Sequence, residues 1–125
     1  MISARFRPHE RINDPAIFRQ AFQGRKSVSD PGLIVYGLEN GLEYSRLGIS
    51  ASKRKVRQAS DRNRVKRLLR EAFRLAKGEM PVGIDLIVVP RGPGLTFEQA
   101  RQGLPWLAWA AARRLGRRIP QQPRP

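Results

Sequence analysis

The sequence predicts a single α/β domain built on one sheet, and three observations predict it. Apolar periodicity alternates along the chain in the order helix, strand, strand, helix, strand, helix, the succession in which helices cover a sheet. Neither an internal repeat nor a linker-like stretch divides the 125 residues, a length that buries one core without metal or disulfide support. The stretch Ser60 to Lys77 (SDRNRVKRLLREAFRLAK) acquires two faces when wound as a helix. Val65, Leu68, Leu69, Ala72 and Ala76 gather on one side, and Asn63, Lys66, Arg67, Arg70 and Arg74 gather on the other. The first face joins a core, and the second meets a polyanion. Ser60 or Asp61 is expected to cap this helix, and acidic Asp61 suits its positive end.

The remaining elements follow in chain order. Met1 to Ile12 holds Arg5, Arg7 and Arg11, is interrupted by Pro8, and reads as a mobile basic arm that orders on a surface. Asp14 caps a short helix with Pro15 at its first position; it runs to about Gln23 and Gly24 ends it. Phe18 and Phe22 share one face of that helix. They are either core or the border of a groove that stacks unpaired bases. Lys26 to Gly32 reads as a loop, and Leu33 to Leu38 (LIVYGL) as a short strand bounded by glycine and by Glu39, Asn40 and Gly41. Leu42 to Ser52 alternates with period two and is expected to pair back onto that strand through the ENG turn. Lys53 to Gln58 (KRKVRQ) is a basic connection without core-forming content.

Gly78, Pro81 and Gly83 stop the basic helix, and Ile84 to Val89 (IDLIVV) is apolar enough for a central strand covered on both faces. Together they form a crossover back onto the sheet, right-handed by the generic rule. Arg91 to Gly94 is a turn. Thr96 and Gln99 make a capping box for a last helix, in which Gly103 and Pro105 predict a kink or break. Trp106 and Trp109 read as core or rim. The folded domain therefore spans residues 1–115, and the Pro-, Arg- and Gln-rich segment 116–125 reads as a disordered tail.

Charge points to the partner. The chain carries a formal +15, and between Lys53 and Arg74 ten basic residues face only Asp61 and Glu71. A compact body with that much like charge repels itself, so an anionic partner is expected, and nucleic acid is the commonest. No apolar run approaches the roughly 20 residues of a membrane span, Met1 to Asp14 lacks a signal-peptide apolar core, and cysteine is absent; the expected location is the cytoplasm. Catalytic groups are scarce. His9 is the single histidine, the ten carboxylates are scattered, and Asp85 within an apolar strand reads as structural. Gly92 and Gly94 lack the Lys-Ser/Thr of a phosphate loop. No residue of this chain is assigned a catalytic role and no small-molecule substrate is expected.

The stretch RNRVKRLLREAFR closely resembles the signature of the bacterial ribonuclease P protein subunit, and PAIFRQAF, LIVYGLENG, RLGISASKRK and DLIVVPRGP follow the family's order around it. The resemblance implies a two-layer α/β sandwich of the ribosomal protein S5 domain 2 type, with a left-handed βαβ crossover that departs from the generic rule. It implies a partner of a catalytic RNA that removes the 5′ leader of precursor tRNA, with Mg²⁺ held mainly by that RNA. By matching positions, Arg62, Asn63, Arg64, Lys66, Arg67, Arg70 and Arg74 look like the surface facing the catalytic RNA. Phe18, Phe22, Tyr36, Ser50, Lys53 and Arg54 look like the cleft for the single-stranded leader. Arg57 to Asp61 departs from the family pattern, and Asp61 and Asn63 are possible metal contacts. The rival readings are a basic structural ribosomal protein and a protein-only nuclease.

Overall fold

A computed structural model describes residues 5–118. A four-stranded sheet in the order β1-β2-β4-β3 lies at its centre. The elements are α1 (Pro15–Gly24), β1 (Ser27–Ser29), β2 (Leu33–Glu39), β3 (Arg46–Ile49), α2 (Ala59–Ala76), β4 (Ile84–Pro90) and α3 (Phe97–Arg114), with single 3-10 turns at Pro8–Glu10 and Lys77–Glu79. Helices α2 and α3 cover one face of the sheet, and α1 lies on the opposite face and covers part of it. No helix among the described residues is long and apolar enough to cross a membrane.

Strand β4 is buried at every position, as its unbroken apolar run predicts, because it is hydrogen-bonded on both edges and covered on both faces. Its central place overturns the expected hairpin. Strand β3 does not pair back onto β2 through the ENG turn; β4 inserts between them, antiparallel to β2 and parallel to β3. The parallel pair is possible because α2 supplies the long crossover that such strands need. The ENG turn forms, with Gly41 at φ 70°, but carries the chain past the end of β4. The Asn40 side chain accepts from Leu42 N at 2.7 Å and donates to Tyr44 O at 3.2 Å and to Asp85 Oδ1 at 2.9 Å. The regular part of the second extended stretch is Arg46–Ile49, shorter than Leu42 to Ser52.

Four further expectations are corrected. The segment read as a loop contains β1, whose Val28 opposes Val35; three residues between polar neighbours carry too little periodicity to declare a strand. In α1, Asp14 accepts from Ala16 N as a cap, but Gly24 stays helical and Arg25 takes the left-handed conformation at φ 55°. Helix α2 starts at Ala59 behind Gln58, which makes no side-chain cap, so neither Ser60 nor Asp61 caps it and Asp61 sits inside the first turn. Helix α3 runs unbroken through Gly103 and Pro105, held by buried Leu104, Leu107 and Ala108, while the Thr96–Gln99 capping box forms as read.

The described part of the amino-terminal arm, residues 5–12, is docked rather than mobile. Phe6 packs edge-on against Phe73 with centroids 5.3 Å apart, and Arg11 lies 4.9 Å over the Phe6 ring. Glu10 is buried and both its oxygens accept from Lys77 Nζ at 3.0 Å. Phe73, absent from the apolar face read for α2, is one of the largest fully buried side chains; such burial contributes about 1.5–3 kcal/mol. Val56, in the connection read as lacking core content, is also fully buried. At the other end, Arg117 donates to Glu39 Oε2 at 2.8 Å and to Val82 O at 2.7 Å, so the start of the expected tail is tied to the β2 end. Residues 119–125 of that tail, and residues 1–4 of the arm, lie outside the described residues.

Candidate nucleic-acid interface

Alternation along the strands divides the sheet's side chains between its two faces. Leu33, Val35, Leu86 and Val88 point into the core beneath α2 and α3. Tyr36, Leu38 and Ile87 point the other way, toward α1, where they meet Ile17, Phe18 and Ala21. Gly48 of β3 opposes Ile87 on that face, and a Cβ there would stand 2.8 Å from Phe18 Cζ and 2.9 Å from Ile87 Cδ1. Only glycine lets the Phe18 ring lie this close to the strand.

The predicted aromatic residues converge here. Phe22 is 37% exposed and its ring meets Tyr36 edge-on, with centroids 4.9 Å apart at 88°. Phe18 is half-buried against the sheet. Both of the earlier alternatives for these rings therefore apply in part: Phe18 packs, and Phe22 borders solvent. Ser50 lies just past β3, where its N donates to Val88 O at 2.9 Å, so Tyr36 and Ser50 flank β4 from either side. Lys53 and Arg54 are exposed on the turn that follows, closed by Val56 N donating to Ser52 O at 2.9 Å.

The cationic face of α2 adjoins this open face. Lys66 and Arg70 line a cleft of about 230 Å³ together with Arg11, Asn13, Phe18 and Ile49. Arg11 joins the site only through the docking of the arm, a relationship without a local signal in the sequence, and Asn13 lies between the arm and the Asp14 cap of α1. Asn63 and Arg67 are exposed on the same helix. Arg74 bonds Glu71 one turn away, which offsets its charge and holds the Glu71 carboxyl below its usual range.

Arg62 and Arg64 behave differently from the others. Arg62 donates to Val56 O at 3.0 Å and Arg57 O at 2.9 Å, closing the basic turn against the start of α2. Arg64 reaches across to Leu95 O at 3.2 Å and to Pro93 O, tying α2 to the loop before α3. Both guanidiniums thus spend donors on backbone carbonyls and hold the loops beside the face formed by Asn63, Lys66, Arg67 and Arg70.

Asp85 is structural, as read. Its carboxylate takes Arg46 Nε at 2.7 Å and is bonded by Asn40. Among the described residues no group of three or more His, Cys, Asp or Glu side chains converges on a common point. Asp61 and Asn63, the possible metal contacts, are not part of such a group.

The chain matches the family model described as Ribonuclease P over residues 6–111. It is 37% identical over 94 residues to the ribonuclease P protein component of Histophilus somni, covering 75% of this chain and 79% of that one. It is 43% identical over 86 residues to the ribonuclease P protein component of Thermotoga maritima, covering 69% of this chain and 73% of the relative. The solved structure of the Thermotoga maritima RNase P protein superposes with a TM-score of 0.70 at 34% identity, over 79% of this chain and 94% of that one. An α/β body with its cationic helix and aromatic open face, matched along most of its length in sequence and in structure, belongs to the ribonuclease P protein family.

Proposed function

We propose that this chain is the protein component of a cytoplasmic ribonuclease P that binds the catalytic RNA through α2 and the 5′ leader of precursor tRNA through the open face of the sheet. The observation that carries this reading is the placement of Lys66 and Arg70 in one cleft with Phe18, on the face that also carries exposed Phe22 and half-buried Tyr36. Cations at that point neutralise phosphates of either RNA, while rings on the sheet stack bases of an unpaired strand. Asn63 and Arg67 extend the phosphate-binding surface outward along α2, and Arg62 and Arg64 hold the flanking loops in position. Hydrolysis of the phosphodiester belongs to the RNA with its Mg²⁺; this chain's residues bind and orient the two RNAs.

The test is cleavage of precursor tRNA at low Mg²⁺ by the RNA subunit alone, by this protein alone, and by both. Cleavage by the pair well above that of the RNA alone is expected. Absence of stimulation would leave a structural ribosomal protein as the better reading, and cleavage by the protein alone would establish a protein nuclease.

A further inference from the structure

Strand β3 is an edge of the sheet, and the amino-terminal arm runs along its free side. Arg11 bridges Leu47 in parallel, and Ile12 N donates to Leu47 O at 2.9 Å. Covering an edge takes backbone pairing alone. This arm is also tied by side chains. Both Glu10 oxygens accept from Lys77 Nζ at 3.0 Å, and Oε1 accepts from Arg7 N at 2.7 Å, which closes the 3-10 turn just before Arg11. Lys77 Nζ donates to Arg5 O as well, and Phe6 packs edge-on against Phe73.

These ties follow one line on α2. Lys66, Arg70, Phe73 and Lys77 are spaced by four, three and four residues, which makes a single stripe about 16 Å long. Its first half lines the cleft, and its second half grips the arm. Arg11, Lys66 and Arg70 therefore meet at one cleft of about 230 Å³ that no carboxylate lines. Glu10, the neighbour of Arg11, cannot neutralise it, because its side chain is 7% exposed and engaged by Lys77. Arg11 lies over the Phe6 ring, a contact that leaves its N–H groups free; among the described residues the side chains of Arg11, Lys66 and Arg70 donate to no acceptor. Three like charges gathered in this way repel one another until an anion joins them.

We propose that Arg11 is a third phosphate-binding residue of this cleft, and that Glu10 and Lys77 are positioning residues that hold it there. A guanidinium grips a phosphate through paired N–H groups. On a free arm it would lose conformational entropy when RNA binds, whereas here folding has already ordered it. The phosphate belongs to the unpaired leader strand, because the Phe18 ring lines the same cleft and stacking suits a single strand. The arm thus serves two ends: its backbone covers the edge of β3, and its one side chain in the cleft with a free charge faces the RNA.

This role of Arg11 rests on the RNA reading of the cleft, so Lys66→Gln is measured beside it. The full chain is titrated with a short single-stranded oligouridylate across a salt series. Arg11→Gln is expected to flatten the log-log slope by about 0.7 and to weaken binding about fivefold at 0.1 M salt. Arg114→Gln removes an exposed cation outside the cleft and should change affinity less than about twofold, since salt screens distant charges. Glu10→Gln should weaken binding by a factor similar to Arg11→Gln and speed hydrogen exchange of the Ile12 amide, yet weaken nothing further in an Arg11→Gln background. Lys77→Gln should behave in the same way and serves as the second variant should Glu10→Gln disturb the fold. An unchanged slope in Arg11→Gln beside a flattened one in Lys66→Gln would overturn the role of Arg11 and leave the RNA surface standing; unchanged slopes in both would overturn the two together. An equal loss from Glu10→Gln with and without Arg11 would make Glu10 structural only. A loss seen with the catalytic RNA and absent with the oligouridylate would overturn the assignment to the leader.

Discussion

Arg46 and Asp85 stand directly opposite each other on parallel strands, joined by Arg46 Nε to Oδ1 at 2.7 Å and Nη2 to Oδ2 at 2.6 Å. The Asp85 side chain is 4% exposed and that of Arg46 24%, so the pair is largely withdrawn from water. Asp85→Ala would strand the guanidinium and the Asn40 amide without their acceptor. Breaking one partner of a buried pair costs about 3–5 kcal/mol, and the partial exposure of Arg46 brings the expectation to about 2–4 kcal/mol. Urea denaturation measures it. A loss below about 1 kcal/mol would mean that water replaces Asp85 at this point.

Arg67 is exposed on the cationic face and has no acceptor among the described residues. Arg67→Ala is expected to leave folding within about 0.5 kcal/mol of wild type. Binding to the catalytic RNA should weaken, and the log-log salt slope should flatten by about 0.7, one phosphate contact on a single strand. Affinity measured across a salt series checks this, and an unchanged slope would remove Arg67 from the phosphate contacts.

Phe22 offers solvent an aromatic face braced by Tyr36. Stacking contributes about 1–3 kcal/mol per base, so Phe22→Ala should weaken binding of leader-bearing precursor about 5- to 150-fold while mature tRNA changes little. Competition binding of the two RNAs to the assembled ribonucleoprotein distinguishes the roles. Equal losses for both substrates would assign Phe22 to packing alone.

Glu39 is held below the usual carboxylate range, first by the hydrogen bond from Arg117, against a smaller opposing effect of burial. A depressed folded value means that the pair stabilises the fold above the unfolded value of about 4.3 and that this contribution is lost as pH falls through the lowered value. The Glu39 side chain is 50% exposed, so solvent screening limits the contribution to about 1 kcal/mol or less. Glu39→Gln should therefore lower stability slightly at pH 7 and bring the two proteins together in acid, once the pH lies below the lowered Glu39 value. Thermal melts at both pH values test it, and a difference that persists in acid would point to a cause other than ionisation.

Much of the architecture is legible locally. The apolar and cationic faces of α2, the Asp14 cap, the Thr96–Gln99 box and the burial of β4 all follow from spacing within one element, because helix and strand periods place neighbouring side chains without reference to the rest of the chain. The family resemblance of RNRVKRLLREAFR was legible for the same reason, since the motif is contiguous on one helix.

What only the tertiary structure decided involves partners far apart in sequence. Strand order depends on competition among edges, and β4, the most apolar run, took the centre and separated β2 from β3. Arg62 and Arg64 matched the motif by position, yet their guanidiniums bond carbonyls of neighbouring loops, while Arg11 entered the cleft from an arm that looked mobile. A residue type and its spacing determine which face a side chain occupies. Whether its charge is spent within the fold or offered to an RNA depends on which distant backbone groups packing brings within hydrogen-bond reach.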